Sequence, residues 1–369
     1  MQRYNGTYAK VNLINIKENV EKIISKYNKY KYYFGVVKAD SYGHFDNKVI
    51  SAVVKGGVNY LCVSSLKEAL KIREKFKNIP ILCLGVIEPK YLDVCVKNDI
   101  TITVVSEEYL DSILNGKNRN FDSRINLNKL KIHIKLDSGM NRLGIKDEVE
   151  FKNVYNKILN SNLLLEGIFT HICSSSDEYY TKKQFEKFEN MVKLIDLSKV
   201  KIIHLANSET LVNYEKIKFV NGCRLGIIMY GFTKEKSLNL KSTFSVYSKV
   251  VQIKNIKKGE SIGYDSLYTA KEDEKIAIVQ IGYADGIIRK NTGRYVYIYD
   301  KKYAIIGNIC MDMLMIKVDD SVKLYDEVII LKDVEHIESV AKYIGTIPYE
   351  IMCNITKRVE RVYEGESLI

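Results

Sequence analysis

A lysine stands at the end of the apolar run Phe34-Gly35-Val36-Val37-Lys38. Short unbroken apolar runs read as buried parallel strands. An amine at such a strand end borders a dry interior. Desolvation there moves it toward the free base, the form that attacks a carbonyl. Other polar residues close similar runs further on. One run ends in Lys135-Leu136-Asp137-Ser138-Gly139-Met140-Asn141-Arg142, and a second in Thr170-His171. A third ends in His204-Leu205-Ala206-Asn207-Ser208, and a fourth is followed by Arg224-Leu225-Gly226-Ile227. The Ser208 hydroxyl and the backbone amides of Gly226 and Ile227 suit an anion such as phosphate.

These groups converge only if the elements beneath them do. Eight strand candidates alternate with helical patterns: Tyr33–Val37, Tyr60–Val63, Ile81–Gly85, Thr101–Val105, Lys131–Leu136, Leu164–Phe169, Lys201–Leu205 and Lys218–Val220. Ser65-Leu66-Lys67-Glu68 reads as a capping box opening the helix after the second strand, and 184–195 as an amphipathic helix. Eight such units predict an α/β fold of the (β/α)8 barrel type, whose active site lies at the C-terminal strand ends. A doubly wound sheet is the other candidate, but no glycine-rich turn follows the first strand. The rhythm changes after Gly231. From Thr243 onward, strands are expected at 249–253, 276–281, 295–299, 314–318 and 327–331, with one helical pattern at 337–344. The expected organisation is a barrel at 1–233 and a mostly-β C-terminal domain at 234–369. A leading strand within 7–16 packs with the second domain, and a short helix follows at 17–27.

The chain has 57 basic and 45 acidic residues, a net charge of +12. The basic residues are spread along the chain rather than gathered in a stripe, which argues against a nucleic-acid groove. No apolar run reaches bilayer length, and Met1 leads into polar residues unlike a signal peptide. The seven cysteines show no C-x-x-C pair. Several, including Cys62, Cys83 and Cys310, lie in apolar runs, which fits free buried thiols in a reducing cytoplasm. No metal site is expected.

The segment Val36-Val37-Lys38-Ala39-Asp40-Ser41-Tyr42-Gly43-His44 resembles the cofactor-lysine segment of the bacterial alanine racemases, with Phe45 where that family usually has glycine. Further segments are similar to its motifs, in order: Gly263-Tyr264-Asp265-Ser266, Ile281-Gly282-Tyr283-Ala284-Asp285-Gly286, Cys310-Met311-Asp312-Met313 and Ile347-Pro348-Tyr349-Glu350. The resemblance implies a pyridoxal 5'-phosphate enzyme. Lys38 would form the Schiff base, and Tyr42, Ser208, Gly226, Ile227 and Tyr349 would hold the phosphate. Arg224 would face the pyridine nitrogen with His204 as its hydrogen-bond partner, and His171 would stack on the ring.

The same resemblance implies a two-base racemisation through an external aldimine. Lys38 would serve one face of the α-carbon and Tyr264, from the partner subunit of a homodimer, the other. His171 and Arg224 are the expected cations supporting the Tyr264 phenolate. Arg142 and the Met311 amide would hold the substrate carboxylate, and Lys135 corresponds to a lysine that is carboxylated in family members. The product would be D-alanine for peptidoglycan. A racemase for serine or for a broad substrate range remains an alternative. A non-turnover cofactor carrier would lack the second domain. A barrel decarboxylase would set a carboxylate, not Arg224, against the pyridine nitrogen.

Overall fold

The structure is a computed structural model that describes residues 6–115 and 127–368. The outer limits of the two expected domains, Met1 and Ile369, lie outside the described residues. A first strand, β1 (Tyr8–Asn12), runs straight into a helix, Leu13–Lys26. The switch comes earlier than the expected strand limit of 16. Asn12 caps the helix by accepting from the Asn15 amide at 2.8 Å, and Leu13, Ile16, Val20 and Ile23 bury one helical face.

Eight parallel strands then close a barrel. They are β2 (Tyr32–Val36), β3 (Tyr60–Val63), β4 (Ile81–Cys83), β5 (Ile100–Val104), β6 (Lys131–Lys135), β7 (Leu164–Phe169), β8 (Ile202–Ala206) and β9 (Gly222–Leu225). Seven overlie the expected strands within one or two residues at either end. The eighth does not: residues 218–220 lie in a turn closed by the Val220 amide on the Ile217 carbonyl at 3.1 Å. The true strand begins at Gly222 and contains Arg224 rather than preceding it. Its inward positions explain the misreading. A side chain at Gly222 would meet Phe34 at 3.0 Å and His204 at 3.1 Å, and Arg224 is paired with His204. A glycine and an arginine on the inner face leave no apolar run to read.

The barrel interior is filled by rings rather than by aliphatic layers. Phe34 stacks on Tyr60 and His204, with centroids 4.5 and 4.4 Å apart, and Phe169 stacks on the other side of His204 at 4.7 Å. The capping box is formed: Glu68 N donates to Ser65 Oγ, and Ser65 N to the Glu68 carboxylate. The amphipathic helix expected at 184–195 begins earlier and spans Glu178–Val192, capped by Asp177.

The C-terminal part is mostly β. Its long strand β10 (Phe244–Ile256) pairs with β1, which also pairs in parallel with the last strand, Glu360–Glu364. Thus the two ends of the chain share one eight-stranded sheet. That sheet contains two strands not expected from the sequence, Lys301–Ile306 and Glu360–Glu364. A second helix, Pro348–Asn354, follows the expected one, which spans Val334–Ile344. Cys310 is only partly buried, unlike Cys62 and Cys83; all three thiols are free.

Candidate active site

Lys38 is the second residue past β2, after Val37. Burial, then the Arg142 charge, draws its amine below the ordinary lysine range, while Glu68 acts the other way. The chain then turns against its natural hand. Ala39, Asp40, Ser41 and Tyr42 all have φ between 49° and 56°, a left-handed helical turn with no glycine in it. Each such residue costs ~1–2 kcal/mol relative to the right-handed form. Strain of that size persists only where its surroundings over-determine it, and such places are typically functional. Gly43 ends the turn at φ 79°, pressed against the Met352 carbonyl.

Arg224 is 3% exposed at the centre of the barrel mouth. Its Nη1 donates to His204 Nδ1 at 2.8 Å. Its Nη2 donates to the carbonyls of Thr170 at 2.9 Å and Leu205 at 3.1 Å, and to His171 Nδ1 at 3.2 Å. A guanidinium only donates, so both imidazoles accept at Nδ1. Burial, with Arg224 second, holds both rings neutral: His204 is pushed well below the ordinary histidine range and His171 down to about 2. The expected role of His171 as a cation is therefore corrected. It is a neutral ring, because a second positive charge beside Arg224 would be buried without a partner.

The neutral tautomers fix a direction. His204 carries its proton on Nε2 and donates to His133 Nδ1 at 3.0 Å. His133 then carries its proton on Nε2, 3.4 Å from Glu166 Oε2. Burial pulls the Glu166 carboxyl upward, yet its contacts with His133, Tyr60 and Lys201 bring it down to about 2. The Tyr60 hydroxyl donates to it at 2.7 Å. Contacts thus run from the buried Arg224 cation through His204 and His133 toward the buried Glu166 carboxylate. The two imidazoles meet edge-to-face at 65°, and the last step is an ion-pair distance rather than a hydrogen bond. His133, Glu166 and Tyr60 were not singled out from the sequence. The one available signal was a glutamate inside the apolar run of β7.

Lys135 ends β6 with its Nζ 4.9 Å above the Phe169 ring. Burial, then Arg224 and Arg142, lowers its amine to about 7. Ser208 Oγ accepts from the amides of Gly226 at 3.0 Å and Ile228 at 3.5 Å. A Cβ on Gly226 would come within 3.0 Å of the Tyr42 hydroxyl and 3.4 Å of Ser208 Oγ. Ile227 opens the short turn that follows. The Tyr42 and Tyr349 rings lie 5.7 Å apart, so the helix Pro348–Asn354 leans over this cradle.

Tyr264 and Met311 are not brought to this mouth within one chain. Their side chains are exposed, Tyr264 by 68%. Among the described residues, no hydrogen bond or ring contact joins the Tyr264 side chain to Lys38 or Arg224. Leu267, Met313, Ile347 and Tyr283 are exposed as well.

A catalytic mouth built on strand ends, in a barrel that hands the chain on to a β domain, defines a two-domain barrel enzyme. Two family models extend this reading. The alanine racemase N-terminal domain matches residues 11–234, and the alanine racemase C-terminal domain matches residues 243–363. "Alanine racemase 1" of Bacillus subtilis is 34% identical over 98% of this chain and 93% of its own length. The alanine racemase of Treponema denticola is 36% identical over 98% and 99%. The crystal structure of a Bacillus anthracis alanine racemase with bound L-Ala-P matches at a TM-score of 0.89. It is 32% identical and covers 98% of this chain and 96% of that one. The chain belongs to the alanine racemase family, and with it to the amino-acid isomerases.

Proposed function

We propose that this chain interconverts L-alanine and D-alanine with pyridoxal 5'-phosphate, in a homodimer whose two active sites are shared between subunits. The observation that carries the reading is Arg224. It is a permanently charged group locked by neutral His204, on the same mouth as the depressed amine of Lys38. The residues present fit the cofactor. A partly desolvated amine suits its aldehyde, and the space bounded by Tyr42, Ser208 and Gly226 suits its phosphate.

When bound, the cofactor supplies an electron sink for the charge left at the substrate α-carbon. The chain's own residues do the rest. Lys38 would carry the cofactor and, once released, move a proton at Nζ on one face. Tyr264 of the partner subunit would do so at its phenolic oxygen on the other. An unassisted phenol is a poor base at neutral pH. With His171 neutral, Arg142 and Arg224 are the cations left to support it. Arg224 would sit beside the ring nitrogen and disfavour its protonation, so the charge stays near the α-carbon and the proton returns there. Ile227 and Tyr349 would complete the phosphate site, and His171 would pack on the ring. Arg142 and the Met311 amide would orient the substrate carboxylate. The free-amine fraction of Lys135 near neutral pH supports its carboxylation.

The exposed Tyr264, Leu267, Met313 and Ile347 support a subunit contact on that side. The reading divides the chain into a cofactor-binding barrel, 1–233, and a β domain, 234–369. Its place is the cytoplasm, where its product would enter peptidoglycan. No helix among the described residues is long and apolar enough to cross a membrane. The test is loss of optical rotation across a panel of L-amino acids with added cofactor. Alanine should be fastest. Serine should be slower by at most about a hundredfold, the limit for rejecting an added hydroxyl in a tight slot. Preference for serine, or no turnover of either, would overturn the reading.

A further inference from the structure

The left-handed turn that follows Lys38 is held at both ends by long charged side chains from outside it. At its start, the Ala39 amide donates to Glu68 Oε1 at 2.8 Å. The other carboxylate oxygen accepts from the Ser64 and Ser65 amides at 2.8 and 3.2 Å. One carboxylate therefore ties the residue after Lys38 to the end of β3. At the far end, Gly43 O accepts from Arg361 Nε at 3.1 Å and Nη2 at 3.0 Å. The same guanidinium donates to the carbonyls of Ile355, Thr356 and Val359. Those carbonyls follow the helix that carries Tyr349. The guanidinium also lies 4.1 Å over the Phe45 ring. Phe45 has φ 56°, so the stack holds a fifth non-glycine residue, beyond the four of the turn, in left-handed backbone.

We propose that Glu68 and Arg361 are positioning residues that grip the two ends of this turn and so set where the Lys38 amine and the Tyr42 hydroxyl point. The inference rests on the proposed use of Lys38 for its chemical consequence, but its geometry does not. A turn that left-handed residues disfavour relaxes when either grip is lost, and Lys38 and Tyr42 move with it. Arg361 binds the turn and the Tyr349 segment at once. Lysine and phosphate-cradle tyrosines are thereby held as one unit. A merely structural cap would lower stability without changing the amine.

The test uses the full-length chain without cofactor, comparing wild type, Glu68→Gln and Arg361→Lys. Amide hydrogen exchange over residues 39–45 should quicken by about tenfold or more in both variants, with the helix Leu13–Lys26 unchanged. Reductive methylation of Lys38, mapped by peptide mass, should reach half-labelling at lower pH in Glu68→Gln. The sign follows from the Glu68 charge, which raises the Lys38 amine in the wild type. With cofactor added, kcat for alanine should fall by about tenfold to a hundredfold while KM changes little. Lys71→Met removes only a surface pair with Asp40 and should change none of these. If Arg361→Lys does not fold, Phe45→Leu removes the stacked ring and should give a smaller rise in exchange. Unchanged exchange at 39–45 in Glu68→Gln, or an unmoved Lys38 labelling profile there, overturns the proposal. If instead the wild type fails to racemise alanine, only the proposed function fails, because exchange and labelling are read without turnover.

Discussion

Arg224 shows why one side chain decides so much here. It makes four hydrogen bonds while almost fully buried, and the tautomers of His204 and His133 follow from its being a donor only. Arg224→Lys keeps the charge but not the planar fork. It should destabilise the fold by about 2–5 kcal/mol in urea titrations, since more than one charge-assisted bond is lost. Arg224→Glu should raise keto-acid formation relative to racemisation, because a carboxylate at the ring nitrogen favours its protonation. An unchanged ratio would mean Arg224 is not at that nitrogen. Lys135 gives a pH-dependent prediction. Its amine is lowered to about 7, so the free base that captures carbon dioxide grows as pH rises through that value. In labelled bicarbonate, a carbon-13 carbamate signal should appear at pH 8, fade as pH falls below about 7, and be absent in Lys135→Ala.

At the scale of elements, most of the barrel was legible because its strands are what buried parallel strands should be, short and apolar. Tyr60–Val63 and Leu164–Phe169 were read to the residue. Legibility failed where an element's job conflicts with its local pattern. β9 presents Gly222 and Arg224 inward, so no periodicity marks it. His133 and Glu166 hid inside strands that were otherwise apolar. The left-handed turn had no signal either: Ala39 to Tyr42 contains no glycine, and only tertiary grips hold it. Gly43 was readable as a glycine but not as a contact. Gly43→Ala would place a Cβ 2.2 Å from the Met352 carbonyl oxygen in left-handed backbone at φ 79°. It should cost about 2–4 kcal/mol in urea titrations. It should also weaken cofactor uptake, measured by absorbance titration. A neutral result would mean the turn and the helix Pro348–Asn354 are not in contact.

At the scale of the molecule, the lysine and the tyrosine it is proposed to work with are separated. Lys38 sits in a mouth built by β2 and β9, while Tyr264 stands exposed on a short turn of the β domain. The sequence carries both motifs but no information on which copy of the chain unites them. The pairing of β1 with β10 and with the last strand ties the N-terminus into the β domain, so the two parts do not separate at a simple chain break. The most direct test mixes two single-site variants, Lys38→Ala and Tyr264→Phe, under conditions that exchange subunits. Each alone should be nearly inactive. In a hybrid dimer, one of the two sites regains both an intact Lys38 and an intact Tyr264. Racemisation of alanine should therefore return to about a quarter of the wild-type rate at equal mixing, because random exchange makes about half the dimers hybrid with one intact site each. No recovery, with exchange verified by mass-tagged subunits, would contradict a site shared between Lys38 and Tyr264 of the partner subunit.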